Sequence, residues 1–273
     1  MLESNLIGFH PHMPFDKYLA IDALSNSGLK KLAKSPAHYK APDKPRTPQQ
    51  QLALDIGSAF HTATLEPELY DELYCITKTA RVSAAERASV KEQGKTLLKQ
   101  ADHSNVQAMA RAVREHPDAG PLVQGGVTEI SFFWQDPDFG FLCKGRADQI
   151  TDSRIIVDLK STADADDQNT GYGAFVKNFF SLGYHQQAYW YLNGVSIASG
   201  VPHDQFVFIA CEKDPPYGIN VYWPDKEVLL WAMEKIEPLK LRYAECLESG
   251  LWPSYPTGIK IIEMPGWAKK RDY

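Results

Sequence analysis

Gly145-Arg146-Ala147-Asp148, then nine residues, then Asp158-Leu159-Lys160 is the stretch that decides how this chain is read. On a β-strand alternate side chains share a face, so Asp158 and Lys160 point one way while Leu159 turns into the core. The apolar run Ile155-Ile156-Val157 leads directly into these charges. They sit where a buried strand emerges, an expensive place for charge without a purpose. If the strands carrying Asp148 and Asp158 pair, two carboxylates and an ammonium converge at a strand end, with the Leu159 carbonyl as a further oxygen ligand. Two carboxylates and water suit Mg²⁺ or Mn²⁺, hard cations that take oxygen ligands. Such an ion would polarise a phosphodiester and lower the pKa of a bound water, while Lys160 positions or helps deprotonate that water and stabilises the growing charge. Taken alone, an Asp-x-Lys on a strand is more often a solvated face or a surface ion pair.

Outward from this stretch, residues 126–134, 139–150 and 155–160 are rich in β-branched and aromatic residues and are separated by turn sequences, which predicts three consecutive antiparallel strands. Residues 24–34 predict a short helix capped by Ser25 or Asn26, with Leu29 and Leu32 facing inward. Residues 41–50 carry three prolines and predict an exposed loop; residues 51–66 predict a mostly buried helix with His61 at its middle. The Ala-, Lys- and Glu-rich segment 83–115 predicts one or two solvent-facing helices. Residues 169–173 predict a flexible connection to a helix at 183–193, and 204–212 a buried strand followed by another at 219–223. A long helix over 225–249 is expected to end at Gly250 and to kink at Pro238. The expectation is one domain over 1–273, with a helical part at 15–120, a catalytic core at 121–250 and an irregular tail at 251–273.

The composition is that of a globular chain, with 44% hydrophobic and 23% charged residues, and excludes a disordered or fibrous protein. A net charge of -5 argues against a protein that coats nucleic acid through an overall basic surface, but not against a site that needs acids at its centre. Cys75, Cys143, Cys211 and Cys246 are scattered without zinc or iron–sulfur spacing. The first twenty residues do not form a signal peptide and no apolar run reaches membrane-spanning length, so a cytoplasmic protein with no membrane contact is expected.

Asp148…Asp158-Leu159-Lys160 resembles the PD-(D/E)xK nuclease signature, and three further segments are similar to the RecE (exonuclease VIII) family of phage and prophage recombination exonucleases. These are Ser25–Tyr39, with its Ser-Asn-Ser-Gly-Leu-Lys-Lys-Leu run; Gly57-Ser-Ala-Phe-His61; and Tyr184–Tyr191, which contains a Q-x-x-x-Y pattern as Gln187 and Tyr191. The similarity spans about residues 15–215. It implies an α/β fold with a restriction-endonuclease-like core, a mixed central sheet flanked by helices. By position it implies that His61, Asp148 and Asp158 bind metal with the Leu159 carbonyl assisting, that Lys160 is the catalytic lysine, and that Glu129 is an acid near the metals. Gln187 and Tyr191 lie one turn apart on a helix face that reaches the metal site or the DNA backbone.

The resemblance further implies one or two Mg²⁺ (or Mn²⁺) ions, digestion of linear double-stranded DNA from 5′ ends to leave 3′ overhangs, a homo-oligomeric ring (trimer or tetramer), and a single-strand annealing partner of the RecT type. Family members often follow a long N-terminal region, whereas this sequence begins almost at the nuclease part, as a free-standing phage version would. Lys30, Lys31 and Lys34 form a basic helix face that can meet DNA phosphates, although such runs are ordinarily just solvated, and Lys269-Lys270-Arg271 is a weaker basic cluster. A histidine such as His61 is, on an apolar helix, by itself more often a core residue than a ligand. Two alternatives stay open: an endonuclease or single-strand-specific nuclease of the same fold, and a non-catalytic subunit that binds DNA ends.

Overall fold

The computed structural model describes residues 5–79, 82–166 and 174–265. The segment 169–173 and the cluster Lys269-Lys270-Arg271 lie outside these. The N-terminal half contains β1 (Gly8–His10), α1 (Phe15–Ala20), β2 (Leu24–Ser25), α2 (Asn26–Lys34), α3 (Pro36–Lys40), α4 (Pro48–Leu65), α5 (Tyr70–Leu73) and β3 (Tyr74–Thr77). It continues with α6 (Ala84–Glu92), β4 (Thr96–Lys99) and α7 (Gln100–Glu115). Then follow β5 (Val127–Gln135), β6 (Leu142–Ile150), β7 (Ile156–Thr162), α8 (Ala174–Ser181), α9 (Tyr184–Ser199), β8 (Phe206–Glu212), β9 (Ile219–Tyr222) and α10 (Lys226–Ser249).

The main sheet is mixed and runs β1-β5-β6-β7-β8-β9, with β2 pairing parallel to the first part of β6. The expected antiparallel succession β5-β6-β7 is present, and β7 pairs parallel with β8. Alternation along the strands separates two cores. Ile156, Phe206 and Phe208 pack with α9 and α10 on one face, whereas Val157, Leu159, Val207 and Ile209 pack with α4 and α7 on the other. The fold is therefore the α/β arrangement expected, a mixed central sheet flanked by helices.

Local signals act as the sequence predicts at several element ends. The Ser25 hydroxyl accepts from the Gly28 N–H at 3.1 Å and caps α2. Gly250, with φ of 68°, takes the left-handed conformation that ends α10. The Thr47–Gln50 capping box starts α4 at Pro48, three residues before the predicted start at 51. α10 continues through Pro238, which is exposed, so the carbonyl left without a partner can be hydrated.

The segment 83–115 requires correction. It holds β4 between two helices, and α7 buries Val106, Met109, Ala110 and Val113. Those residues recur at i, i+3, i+4 and i+7, a core-facing stripe that the overall polar composition concealed. β1, β2 and the two-stranded β3–β4 sheet had no sequence signal, being two to four residues long and defined only by their partners.

Candidate active site

The β6–β7 ladder holds only two pairs, Gln149↔Val157 and Ile150↔Ile156. The next pair in register would be Asp148 with Asp158. There the strands part, and β2 takes over the free edge of β6 at Cys143 and Lys144. On the other side of β6 the β5 ladder is interrupted between Thr128↔Gln149 and Ile130↔Ala147, where Glu129 stands opposite Asp148. Glu129, Asp148 and Asp158 thus form a row of acids at one level of three adjacent strands.

Side-chain alternation also fails at this level. Ile130 and Ala147 point into the core beside α9, yet two residues from Ile130 the Thr128 hydroxyl donates to Glu66 at the end of α4. Gln149 pairs with Val157, a residue of the core beside α4. Glu129 makes the change of face with φ of 47°, a left-handed conformation that costs a non-glycine residue about 1–2 kcal/mol. The carboxylates at the switch belong fully to neither face and meet in the gap between strands.

α4 reaches this gap from one side. The His61 Nδ1 lies 3.4 Å from Asp148 Oδ2 and 4.0 Å from Glu129 Oε1. One ligand atom from each of His61, Glu129 and Asp148 falls within 4.8 Å of the others. Asp148 Oδ2 also accepts the Leu159 N–H at 2.8 Å. A strand residue directs its N–H and C=O to the same edge, so the Leu159 carbonyl faces the same gap.

From the other face, Asp158 is 2% exposed and is held by the Lys160 ammonium and by the Gln187 amide of α9, which donates to Asp158 Oδ1. The Lys160 ammonium stands 4.8 Å over the ring of Tyr184. Arg146 fixes Glu129 through Nε at 3.0 Å and spends Nη1 on Ser131 Oγ and the Met13 carbonyl. A cleft of 540 Å³, lined by His61, Glu129, Arg146, Asp148, Gln187 and Tyr191 among others, opens on the assembly.

The electrostatics follow from this crowding. Burial works against the His61 imidazolium, but the carboxylates of Asp148, Glu129 and Asp158 outweigh it and raise its pKa to about 9. Burial and the neighbouring Asp148 push Glu129 up, with His61 and Arg146 opposing. Asp148 is itself buried, but His61 beside it, Lys160 and the Leu159 N–H hold its pKa below the usual carboxylate range. Asp158 is raised by burial and by Asp148, against the pull of Lys160. Burial disfavours the Lys160 ammonium, but Asp158 and Asp148 more than compensate and raise its pKa.

Like charges opposite one another on paired strands destabilise a sheet, and a strained backbone that places one of them there adds to the cost. A divalent cation held there would offset both. An imidazole nitrogen with two carboxylate oxygens, a strand carbonyl and a third acid beyond is a donor set such an ion accepts. The cluster that could hold an ion is His61, Glu129 and Asp148, whereas the expected set was His61, Asp148 and Asp158; Asp158 stands behind it, engaged by Lys160 and Gln187.

The remaining site residues separate. Tyr191 lines the cleft and packs edge-on against Phe132 at 5.4 Å, with its hydroxyl meeting the Arg146 backbone rather than the acids. Of the three lysines on α2, only Lys30 lies near the site, where it feels the charges of Lys160 and Asp158. Lys31 is tied to Asp43 at 2.6 Å, and Lys34 borders a groove with Arg242 and Glu245. A helix turns 100° per residue, so Lys31 is directed elsewhere, and Lys34 lies a full turn further along. Arg146 and Tyr184 escaped assignment, although alternation from Asp148 would have placed Arg146 two residues along the same strand.

A family model described as a PDDEXK-like domain of unknown function (DUF3799) matches residues 25–264. A solved structure from Eubacterium rectale, named "Putative exonuclease", superposes with a TM-score of 0.58 over 88% of this chain and 88% of its own at 15% identity, a likeness of fold. No curated protein matches the chain.

Proposed function

The chain belongs to the PDDEXK-like DUF3799 family, within the PD-(D/E)xK nuclease superfamily, and from that premise we propose that it is a divalent-metal-dependent deoxyribonuclease. The observation that carries this is the row Glu129-Asp148-Asp158 at the opening of the β6–β7 ladder, with His61 on one side and Lys160 on the other. His61, Glu129, Asp148 and the Leu159 carbonyl would hold a Mg²⁺ or Mn²⁺ ion, and Asp158 would contribute from behind them, to this ion or to a second one. When bound, the ion supplies a polarised phosphoryl oxygen and a water of lowered pKa.

The chain's own groups do the rest. Lys160, whose pKa is raised, remains an ammonium at neutral pH and acts as a fixed cation against the charge that grows on the phosphate as water attacks. Gln187 orients the Asp158 carboxylate from α9. Arg146 neutralises and aims Glu129, leaving its other oxygen for the cleft.

At finer grain, we read the activity as that of a RecE-type exonuclease digesting linear duplex DNA from 5′ ends, leaving 3′ strands for a RecT-type annealing partner, and working as a homo-oligomeric ring. The support is the resemblance of Ser25–Tyr39, Gly57–His61 and Tyr184–Tyr191 to that family, in the same order along the chain. The name of the Eubacterium rectale structure agrees with exonuclease action. We also read 1–273 as one nuclease domain, since both cores pack on a single sheet.

The test is digestion of linear duplexes labelled separately at 5′ and 3′ ends, with Mg²⁺ and with EDTA, beside a covalently closed circle. Early release of the 5′ label only with Mg²⁺ is expected. Efficient cutting of the closed circle would replace the exonuclease reading with an endonuclease one.

A further inference from the structure

On the sheet face that carries Lys160, where α8 and α10 pack, large aromatic side chains stand in solvent. Phe180 at the end of α8 is 41% exposed and Trp231 on α10 is 39% exposed. They form one surface: Phe180 meets Trp231 edge-on at 5.8 Å, and His185 stacks on Trp231 at 4.5 Å with an interplanar angle of 28°. A shallow groove of 190 Å³ continues from Phe180 past Phe179 to Trp223. An exposed aromatic cluster of this kind is costly on a monomeric surface and marks a place of contact.

The ledge is joined to the active site by direct ring contacts. Phe180 packs on Phe179 at 5.1 Å, Phe179 on Tyr184 at 6.4 Å, and Tyr184 lies under the Lys160 ammonium. Cations accompany this path. The Lys235 ammonium stands 5.4 Å over Trp231, and exposed Lys177 lies three residues before Phe180 on the same helix. Lys30 runs alongside Gly183, where a Cβ would come within 3.2 Å of its Cε, and carries its charge toward Asp158 and Lys160. Glu227 and Glu234 lie on the other flank of Trp231 around α10, so a polyanion is steered to the side bearing Lys235 and Lys30.

We infer that the Phe180–Trp231 ledge is a stacking platform for unpaired bases of a DNA strand whose phosphates run past Lys235 and Lys30 toward Lys160. The occupant is chosen on the nuclease reading of the cleft. Aromatic faces accept any base, because every base has a π-face, and flanking lysines track the backbone without reading sequence. A protein partner would have less use for lysines along one flank only. The contact takes single-stranded DNA, such as the strand freed or frayed at a duplex end.

The test measures binding of a fluorescent oligothymidylate, and of an abasic strand of equal length, to the full chain in EDTA, with Mg²⁺-dependent digestion of a linear duplex run in parallel. Phe180→Ser and Trp231→Ser should each weaken oligothymidylate binding by about five- to one-hundred-fold. Trp231→Phe should keep most of the affinity, and the abasic strand should bind weakly to wild type and variants alike. Both serine variants alter exposed side chains, and circular dichroism checks their fold. The platform is overturned if wild type does not bind the oligomer, if the serine variants bind it like wild type, or if abasic and base-bearing strands bind equally. Digestion by wild type in any of these cases leaves the nuclease reading standing. Conversely, base-dependent binding lost in the serine variants, with no digestion by wild type under any divalent ion, keeps the platform and removes the nuclease reading.

Discussion

Asp148 and Asp158 occupy the first register position beyond the last paired residues of β6 and β7, and Asp148 Oδ2 takes the Leu159 N–H at 2.8 Å instead of a ladder partner taking it. The ladder ends where two acids would otherwise face each other, and the opening so formed is the candidate metal site.

Asp158→Ala and Lys160→Ala should each lower Mg²⁺-dependent DNA digestion by at least roughly 10²–10³-fold, the usual loss when one group stabilising transition-state charge is removed. Initial rates on a linear duplex check this, with far-ultraviolet circular dichroism to show that the fold persists. Wild-type rates in either variant would contradict the roles given to the pair.

Glu129→Gly should do two opposite things. Glycine accepts φ of 47° without strain, so in EDTA this variant should be about 1–2 kcal/mol more stable than Glu129→Ala, which loses the same contacts with Arg146 and His61 but keeps a Cβ in the left-handed conformation. The same change deletes a ligand, so stabilisation by Mn²⁺ should shrink. Denaturant unfolding of both variants with Mn²⁺ and with EDTA reads both effects; equal stability of Glu129→Gly and Glu129→Ala in EDTA would show that Glu129 is not strained.

In the metal-free protein His61 has a folded pKa of about 9 against an ordinary 6.5. Its folded value is raised, so its contribution to stability is fully present below about pH 6.5 and is lost as pH rises through about 9, an amount on the order of 3 kcal/mol. Unfolding in EDTA at pH 6 and pH 10 should show the decline, and His61→Ala should flatten it. Metal binding must displace the same proton, so apparent Mn²⁺ affinity should increase with pH over this range, as titration calorimetry would reveal.

Lys240 is buried against Asp136, with Nζ 2.9 Å from Asp136 Oδ2 and from Glu237 Oε2. Lys240→Met leaves the Asp136 carboxylate buried without its cation and should cost about 3–5 kcal/mol. The double variant with Asp136→Asn should recover much of that loss in urea unfolding. Equal stability of the single and double variants would mean that the pair is not coupled.

Much of the site could be read from the chain alone because it depends on periods within single segments. Period-two alternation placed Asp158 and Lys160 on one face with Leu159 opposite, and turn residues separated β5, β6 and β7. Side-chain chemistry at helix ends marked Ser25 and Gly250. These properties belong to runs of a few neighbouring residues, so sequence by itself determines them. The tertiary structure alone decided that Glu129, Asp148 and Asp158 stand in one row, that Glu129 adopts a left-handed backbone there, and that Arg146 and Gln187 hold the outer two. It also decided that Lys30 approaches the cleft while Lys31 and Lys34 do not. Register, strand separation and the facing of one helix on another depend on partners many residues away, whose pairing no local period encodes.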